Sequence, residues 1–184
     1  MRSMRPDPEI RVQEITIPAG RRRIPALVLS PTTVPVRATG VLWLHGGGYI
    51  LGMKEMVHMS RAVDLVKKFG AVVVSPGYRL ALAAPYPAAL DDCYAALLYM
   101  KSHAAGLGIR VDQIVGDGEP FYAETVRYIE NLKKCGIPAS VDVYHSDMHA
   151  FDMMQPDTPL SREAARRFNE QFAYAQTHYF APQR

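Results

Sequence analysis

Apolar and polar residues alternate from Ile10 to Ile17 (IRVQEITI), the period of a half-buried strand. Pro18-Ala19-Gly20 turns the chain, and Ile24 to Leu29 reads as the hairpin partner. After the proline-bearing stretch Pro31 to Arg37, Gly40 to Leu44 is a short, continuously apolar run that suits an inner strand buried on both faces. Within Met56 to Phe69, apolar residues recur at helical spacing (Met59, Val63, Val66), with Lys67 and Lys68 in the last turn and Gly70 as the stop. Ala71 to Val74 is a second buried strand. Pro87 to Ala105 predicts a helix with Ala89, Leu90, Cys93, Ala96, Leu97 and Met100 along one face. Asp91 and Asp92 complement its N-terminal dipole. Val111 to Val115 is a brief strand, and Pro120 to Lys134 a helix capped by Gly136. Ala139 to Tyr144 alternates through Val141 and Val143 and predicts a further strand. Ser161 to Tyr179 predicts a C-terminal helix that aligns Ala164, Phe168, Phe172 and Ala175.

Strands alternating with helices predict an α/β fold: a mostly parallel sheet flanked by helices, with an N-terminal antiparallel hairpin. At 184 residues and 48% hydrophobic content, the chain reads as one domain over residues 1–184, long enough to bury a core. No repeat or low-complexity segment interrupts it. The formal charge is only +3, and the basic residues scatter apart from Arg21-Arg22-Arg23, which reads as a solvated turn. No aromatics interleave with that triplet, so nucleic acid is not an expected partner. No apolar run reaches membrane-spanning length, and Met1 to Arg11 lacks the apolar core of a signal peptide. Cys93 and Cys135 make no disulfide framework, so a reducing cytoplasm is the expected compartment.

The chemistry concentrates after the third strand. His45-Gly46-Gly47-Gly48-Tyr49 follows Val41-Leu42-Trp43-Leu44 and leaves three backbone N–H groups without side chains in front of them. A phosphate cradle would want Gly-Lys-Ser/Thr or a spaced G-x-G-x-x-G, and neither is present. The motif resembles the oxyanion loop of α/β-hydrolase esterases of the hormone-sensitive-lipase type. Tyr78-Arg79-Leu80-Ala81 and Pro85-Tyr86-Pro87-Ala88-Ala89-Leu90-Asp91-Asp92 are similar to that family's Y-R-L-A-P-E-x-P-F-P-A-A-L-D-D block, with departures at Gly77, Leu82 and Ala83. Gly116-Asp117-Gly118-Glu119-Pro120-Phe121 resembles the family turn that carries the triad acid, which puts Glu119 in the acid's place. Met148-His149-Ala150-Phe151 resembles the F-H-G-F segment, which makes His149 the general base. The resemblance thus implies Gly46, Gly47 and Gly48 as oxyanion hole and Glu119 with His149 as the surviving catalytic pair. Against these stand plainer roles: Glu119 as a charge at a helix start, His149 as a half-buried ring bonded to backbone, and Asp117 as a rival acid. His145, Asp147 and His149 form H-x-D-x-H, but no metal and no cofactor are expected.

The attacking group is missing. None of Ser3, Ser30, Ser60, Ser75, Ser102, Ser140, Ser146 and Ser161 lies in G-x-S-x-G, and neither cysteine replaces it. Ser75 follows an apolar strand without the strained elbow and reads as a strand-end hydroxyl. The resemblance comes in two pieces. The chain follows the family's N-terminal half up to Ile114 and its acid-bearing strand from Val115 on, so an internal deletion near 114/115 is implied, and the cap helices are lacking as well. Losing a catalytic serine costs about 10⁶-fold in turnover. The implied function is hydrolysis of short or medium acyl carboxylic esters, with weak or absent activity. The alternative is a non-catalytic pseudo-hydrolase that binds a small apolar ligand or a protein partner. Loss of a central strand also predicts an exposed sheet edge or apolar patch, and therefore a homo-oligomer.

Overall fold

The computed structural model describes residues 5–33, 35, 37–117, 122–137, 139–146, 148 and 151–180, so Glu119, Asp147 and His149 lie outside the described residues. The N-terminal alternation forms a hairpin of β1 (Ile10–Ala19) and β2 (Arg22–Pro31). Its register pairs Ile10 with Pro31 and Ala19 with Arg22, so Gly20 and Arg21 alone make the turn and both strands outrun the alternation. The apolar runs form β3 (Ala38–Trp43) and β4 (Val72–Pro76), and β5 spans Ile109–Asp117. The order across the sheet is β1-β2-β4-β3-β5. β3 runs parallel to β4 and β5, whereas β2 is antiparallel to both β1 and β4. The sheet is therefore mixed, with the hairpin built into it through β2.

Period-two patterning places this sheet between two cores. Leu27, Leu29, Val41 and Val73 point to one face, where they meet Leu65 and Val66 of α1 (Ala62–Phe69) and Phe172 of α6 (Pro159–His178). Ala26, Val28, Leu42, Val72 and Val74 point to the other and meet Ala96 and Met100 of α2 (Ala88–Ser102) and Ala104 of the short α3 (Ala104–Leu107). Each fully buried valine of β4 contributes about 1.5–3 kcal/mol relative to exposure.

Several helix boundaries differ from the periodicity, for local reasons. The pattern of Met56 to Phe69 splits into a 3₁₀ turn (Lys54–Met59) and α1. Ser60 divides them: its Oγ donates to the Val57 carbonyl and accepts from the Ala62 N–H, so the side chain competes with helical bonding. α6 begins at Pro159 because Thr158 caps it, its Oγ1 accepting from Ser161 N–H. α4 (Tyr122–Lys134) ends at Gly136, as the sequence predicts, and α5 (Phe151–Met154) is a single turn.

The strand predicted over Ala139 to Tyr144 is not formed. These residues join no ladder, and Val141 and Val143 are exposed. Asp142 pairs instead with Arg167 of α6, and the Tyr144 ring packs against Phe151. Alternation marks an apolar face but does not supply the neighbouring strand that a ladder needs.

α2 departs from its predicted face in one respect. Leu90 is exposed, while Asp92 is 1% exposed. The Asp92 carboxylate accepts Arg79 Nε at 2.8 Å, Arg79 Nη2 at 3.0 Å and the Arg79 backbone N–H at 3.1 Å, and it also accepts from Arg22 Nη1. The arginine triplet is thus not simply solvated: Arg22 ties the hairpin tip to α2. Beside it, burial and the Asp92 charge push the Cys93 thiol up to about 12, which leaves it unreactive. Replacing Asp92 with Asn removes the charge that both guanidiniums share. Because both arginines keep partial solvent access, urea unfolding of Asp92→Asn should show a loss of about 2–3 kcal/mol. An unchanged midpoint would show that this clamp does not hold the hairpin.

Candidate active site

The glycine motif leaves the end of β3 as a hook with a fixed shape. Ile50 N–H and Leu51 N–H both donate to the Gly47 carbonyl at 3.1 Å, closing the loop on itself. Gly47 has φ 120° and Gly52 φ 116°, conformations that L side chains rarely adopt. A Cβ at Gly47 would collide with the Leu51 carbonyl, and one at Gly52 with the His45 ring. Tyr49, with φ 63°, is held there by Ala81 N–H, which donates to its carbonyl at 2.7 Å. With the loop's internal bonds spent on the Gly47 carbonyl, the Gly47 and Gly48 N–H groups donate no hydrogen bond to a described residue.

His45 anchors the hook from beneath. Its ring is buried and stacks on Tyr78 with centroids 4.1 Å apart and planes 7° from parallel. Tyr78 Oη donates to the His45 carbonyl at 2.6 Å, and His45 Nδ1 lies 2.9 Å from the Gly46 carbonyl. A proton on Nδ1 satisfies that contact, so the neutral ring is the Nδ1–H tautomer. Burial lowers the His45 pKa, only partly offset by its bond to Gly46. His45 is therefore a structural pillar. The sequence marks Tyr78 only as the first residue of the Tyr78-Arg79-Leu80-Ala81 block, because no spacing rule links two residues 33 positions apart.

The other predicted residues divide clearly. Ser75 is fully buried at the end of β4 and donates to the Lys54 carbonyl at 3.0 Å, a structural bond with no solvent access. β5 brings its C-terminal end to the hook: Leu42 pairs with Gly116 and Trp43 with Asp117, two residues before His45. The turn that would bear Glu119 follows directly but lies outside the described residues, as does His149. Among the described residues there is no cluster of His, Cys, Asp or Glu able to hold a metal. The H-x-D-x-H segment is only partly among them. No described helix is long and apolar enough to cross a membrane.

Residues 41–118 match a protein family described as α/β hydrolase fold. Carboxylesterase NlhH of Mycobacterium tuberculosis is 40% identical over 105 residues, which is 55% of this chain and 32% of that protein. The solved structure of brefeldin A esterase, described as a bacterial homologue of human hormone sensitive lipase, is 30% identical with a TM-score of 0.52. The match covers 59% of this chain and 31% of that one. In sequence and fold this chain is similar to the hormone-sensitive-lipase-like α/β-hydrolase esterases. The fold likeness reaches further than the sequence likeness. A hyperthermophilic esterase from the archaeon Pyrobaculum calidifontis superposes with a TM-score of 0.76 at 22% identity, covering 91% of this chain and 84% of that one. In sequence, the chain spans about a third of the length of the curated relatives it matches.

Two measurements check the hook. Gly52→Ala forces the His45 ring aside and should lower stability by more than about 2 kcal/mol in urea unfolding, the range for strain at a special backbone angle. The second uses pH. Burial lowers the folded-state pKa of His45 and His58, so the unfolded chain binds protons first on acidification. Their contribution to stability is present above the unfolded value near 6.5 and is lost as pH falls toward their folded values. The thermal midpoint should therefore drop between about pH 7.5 and about pH 5.5, before carboxylates titrate. His58→Gln should shrink that drop, and an equal drop in the variant would exclude a contribution from His58.

Proposed function

We propose that this chain is a carboxylic-ester hydrolase by descent, acting weakly or not at all on short and medium acyl esters. The observation that carries this reading is the pinned glycine hook, whose Gly47 and Gly48 N–H groups are left to meet a developing oxyanion. In this reading Gly46, Gly47 and Gly48 form the oxyanion hole, His149 is the general base and Glu119 orients it. The sequence holds no G-x-S-x-G serine, so in this reading hydrolysis proceeds only through water activated by His149 and only on activated esters.

The deletion reading draws support from β5. Ile109 is partnered by Ala38 and Ile114 by Gly40, so the strand advances five residues while β3 advances two. We infer that β5 is composite: residues to Ile114 occupy the approach to the lost nucleophile strand, and residues from Val115 supply a substitute for its ladder beside β3. The end of β5 at Gly116 and Asp117 thus runs beside Leu42 and Trp43, at the base of the hook.

A second reading has its own observation. Tyr49, Ile50, Leu51 and Met53 line the exposed side of the hook and are each at least half exposed. That apolar rim suits a pseudo-hydrolase that holds a small apolar ligand beside the glycine amides.

Hydrolysis of p-nitrophenyl butyrate by the wild type, His149→Ala and Gly47→Ala separates the two. Slow turnover that disappears in both variants supports residual catalysis. Equal rates in wild type and His149→Ala remove the histidine's role. No turnover, with saturable binding of an apolar ester that Ile50→Asp weakens, moves the conclusion to the ligand-binding reading.

A further inference from the structure

β5 is the terminal strand of the sheet, and its outer side forms the floor of a groove of about 610 Å³. One wall is α2, through Tyr94, Leu97 and Leu98; the other is the chain leaving α6, through His178, Tyr179 and Phe180. The floor is fixed. Gln113 is buried, its Nε2 donating to the carbonyls of Ala175 (3.2 Å), Gln176 (2.9 Å) and Tyr179 (3.3 Å), while its Oε1 accepts from Thr39 Oγ1 at 2.7 Å. The Arg110 guanidinium sits 4.6 Å over the Phe180 ring and so holds the second wall to the strand. The groove is therefore built before anything enters it.

Its walls are apolar and uncovered. Tyr94, Leu98, Val111, Tyr179 and Phe180 are each between 37% and 59% exposed. At roughly 200 Å² per large side chain, they present on the order of 450–500 Å² of apolar surface, in the upper part of what monomers leave bare. Leu90, one turn before Tyr94 on the same stripe, and Tyr174, edge-on to Tyr179, widen it to roughly 700 Å². A stable homodimer buries about 800 Å² per partner, so this face with its polar rim supplies the required area.

We propose that the groove beside β5 is the contact surface of a two-fold dimer of this chain. A second copy is the occupant for two reasons. The carboxylate in the lining, Asp112, is already met by Arg110 of its own chain through two hydrogen bonds of 2.9 and 2.8 Å, so a second copy sets apolar wall against apolar wall with no unpaired carboxylate between them. An isologous contact also closes both open edges at once, because every copy carries the same uncovered strand. No residue lining the groove belongs to the glycine hook, and the proposal does not depend on whether the chain hydrolyses esters.

Sedimentation and light scattering from low to high micromolar protein test this. Wild type should run at twice the 20.5 kDa chain mass. Leu98→Glu and Tyr94→Glu, both on the exposed stripe of α2, should weaken the dimer at least roughly tenfold with unchanged far-ultraviolet dichroism. Hydrogen exchange of the wild type should show protection at residues 111–115 that rises with protein concentration. A monomer throughout the range overturns the proposal, and so does a dimer that both folded variants retain. If either variant unfolds, exchange on the wild type decides: protection independent of concentration, or confined to another surface, overturns it. Protection of the same residues only when a foreign extended peptide is added would identify a strand-accepting groove and likewise overturn the dimer.

Discussion

The parallel ladder between β3 and β5 is the constraint from which the other features follow. Gly40, Val41, Leu42 and Trp43 are matched by Ile114, Val115, Gly116 and Asp117. Without that ladder, β3 would be an edge strand and the glycine hook would emerge from an unsupported end. A parallel neighbour requires a crossover, and α2 with α3 supplies it, packing Ala96, Met100 and Ala104 against the same face that Leu42 and Val72 present. The five-to-two mismatch of register at Ala38–Gly40 makes β5 bulge against β3 there. Backbone that cannot follow β3 is taken up by Gln113, whose side chain bonds the end of α6.

The hook is rigid for a different reason. Two of its hydrogen-bonding constraints come from residues distant in sequence, Tyr78 beneath His45 and Ala81 on Tyr49, and the third is the local turn that closes Ile50 and Leu51 on Gly47. Tyr78 and Ala81 lie in the segment that Asp92 fastens through Arg79, and Arg22 brings the hairpin to the same carboxylate. A buried carboxylate shared by two guanidiniums is a costly arrangement that repays itself only when several elements are joined by it. Here it joins β2, the loop before α2, and α2. Oxyanion donors must be in place before charge develops, so this stiffness is what a stabilising site requires.

The strands up to β4 and the length of α6 were legible because each buries a face set by its own periodicity. Helix ends at Ser60 and Thr158 depend on which side-chain oxygen captures which N–H, and only the second follows a familiar capping pattern. Residues 139–144 misled because Val141 and Val143 carry a strand's alternation, although Asp142 and Tyr144 are held by α6 and Phe151. At the site, the glycines announced themselves by composition, whereas Tyr78, Gly52 and Asp92 act through contacts that no spacing encodes. The missing hydroxyl was legible as an absence in the serine inventory. Ser75, the serine best placed by the pattern, turned out to be spent on the Lys54 carbonyl.

These features connect through the place of β5 at the rim of the sheet. In such a sheet the strand beside β3 is normally covered on both faces and both edges, since parallel strands are buried. When β5 takes that position at the rim, the residues that would have faced a further strand and its helix become surface. Tyr94 and Leu98 of α2 are apolar because of where α2 packs, and they remain apolar when the cover is gone. The stability of the fold does not need the cover, since both cores lie inward of β5, between the sheet and α1, α2 and α6. Solubility does need it, because a bare edge flanked by aromatic walls is attractive to any similar edge. The bare side of β5 and the glycine hook thus belong to one ladder, the first along its outer strand and the second at the end of β3.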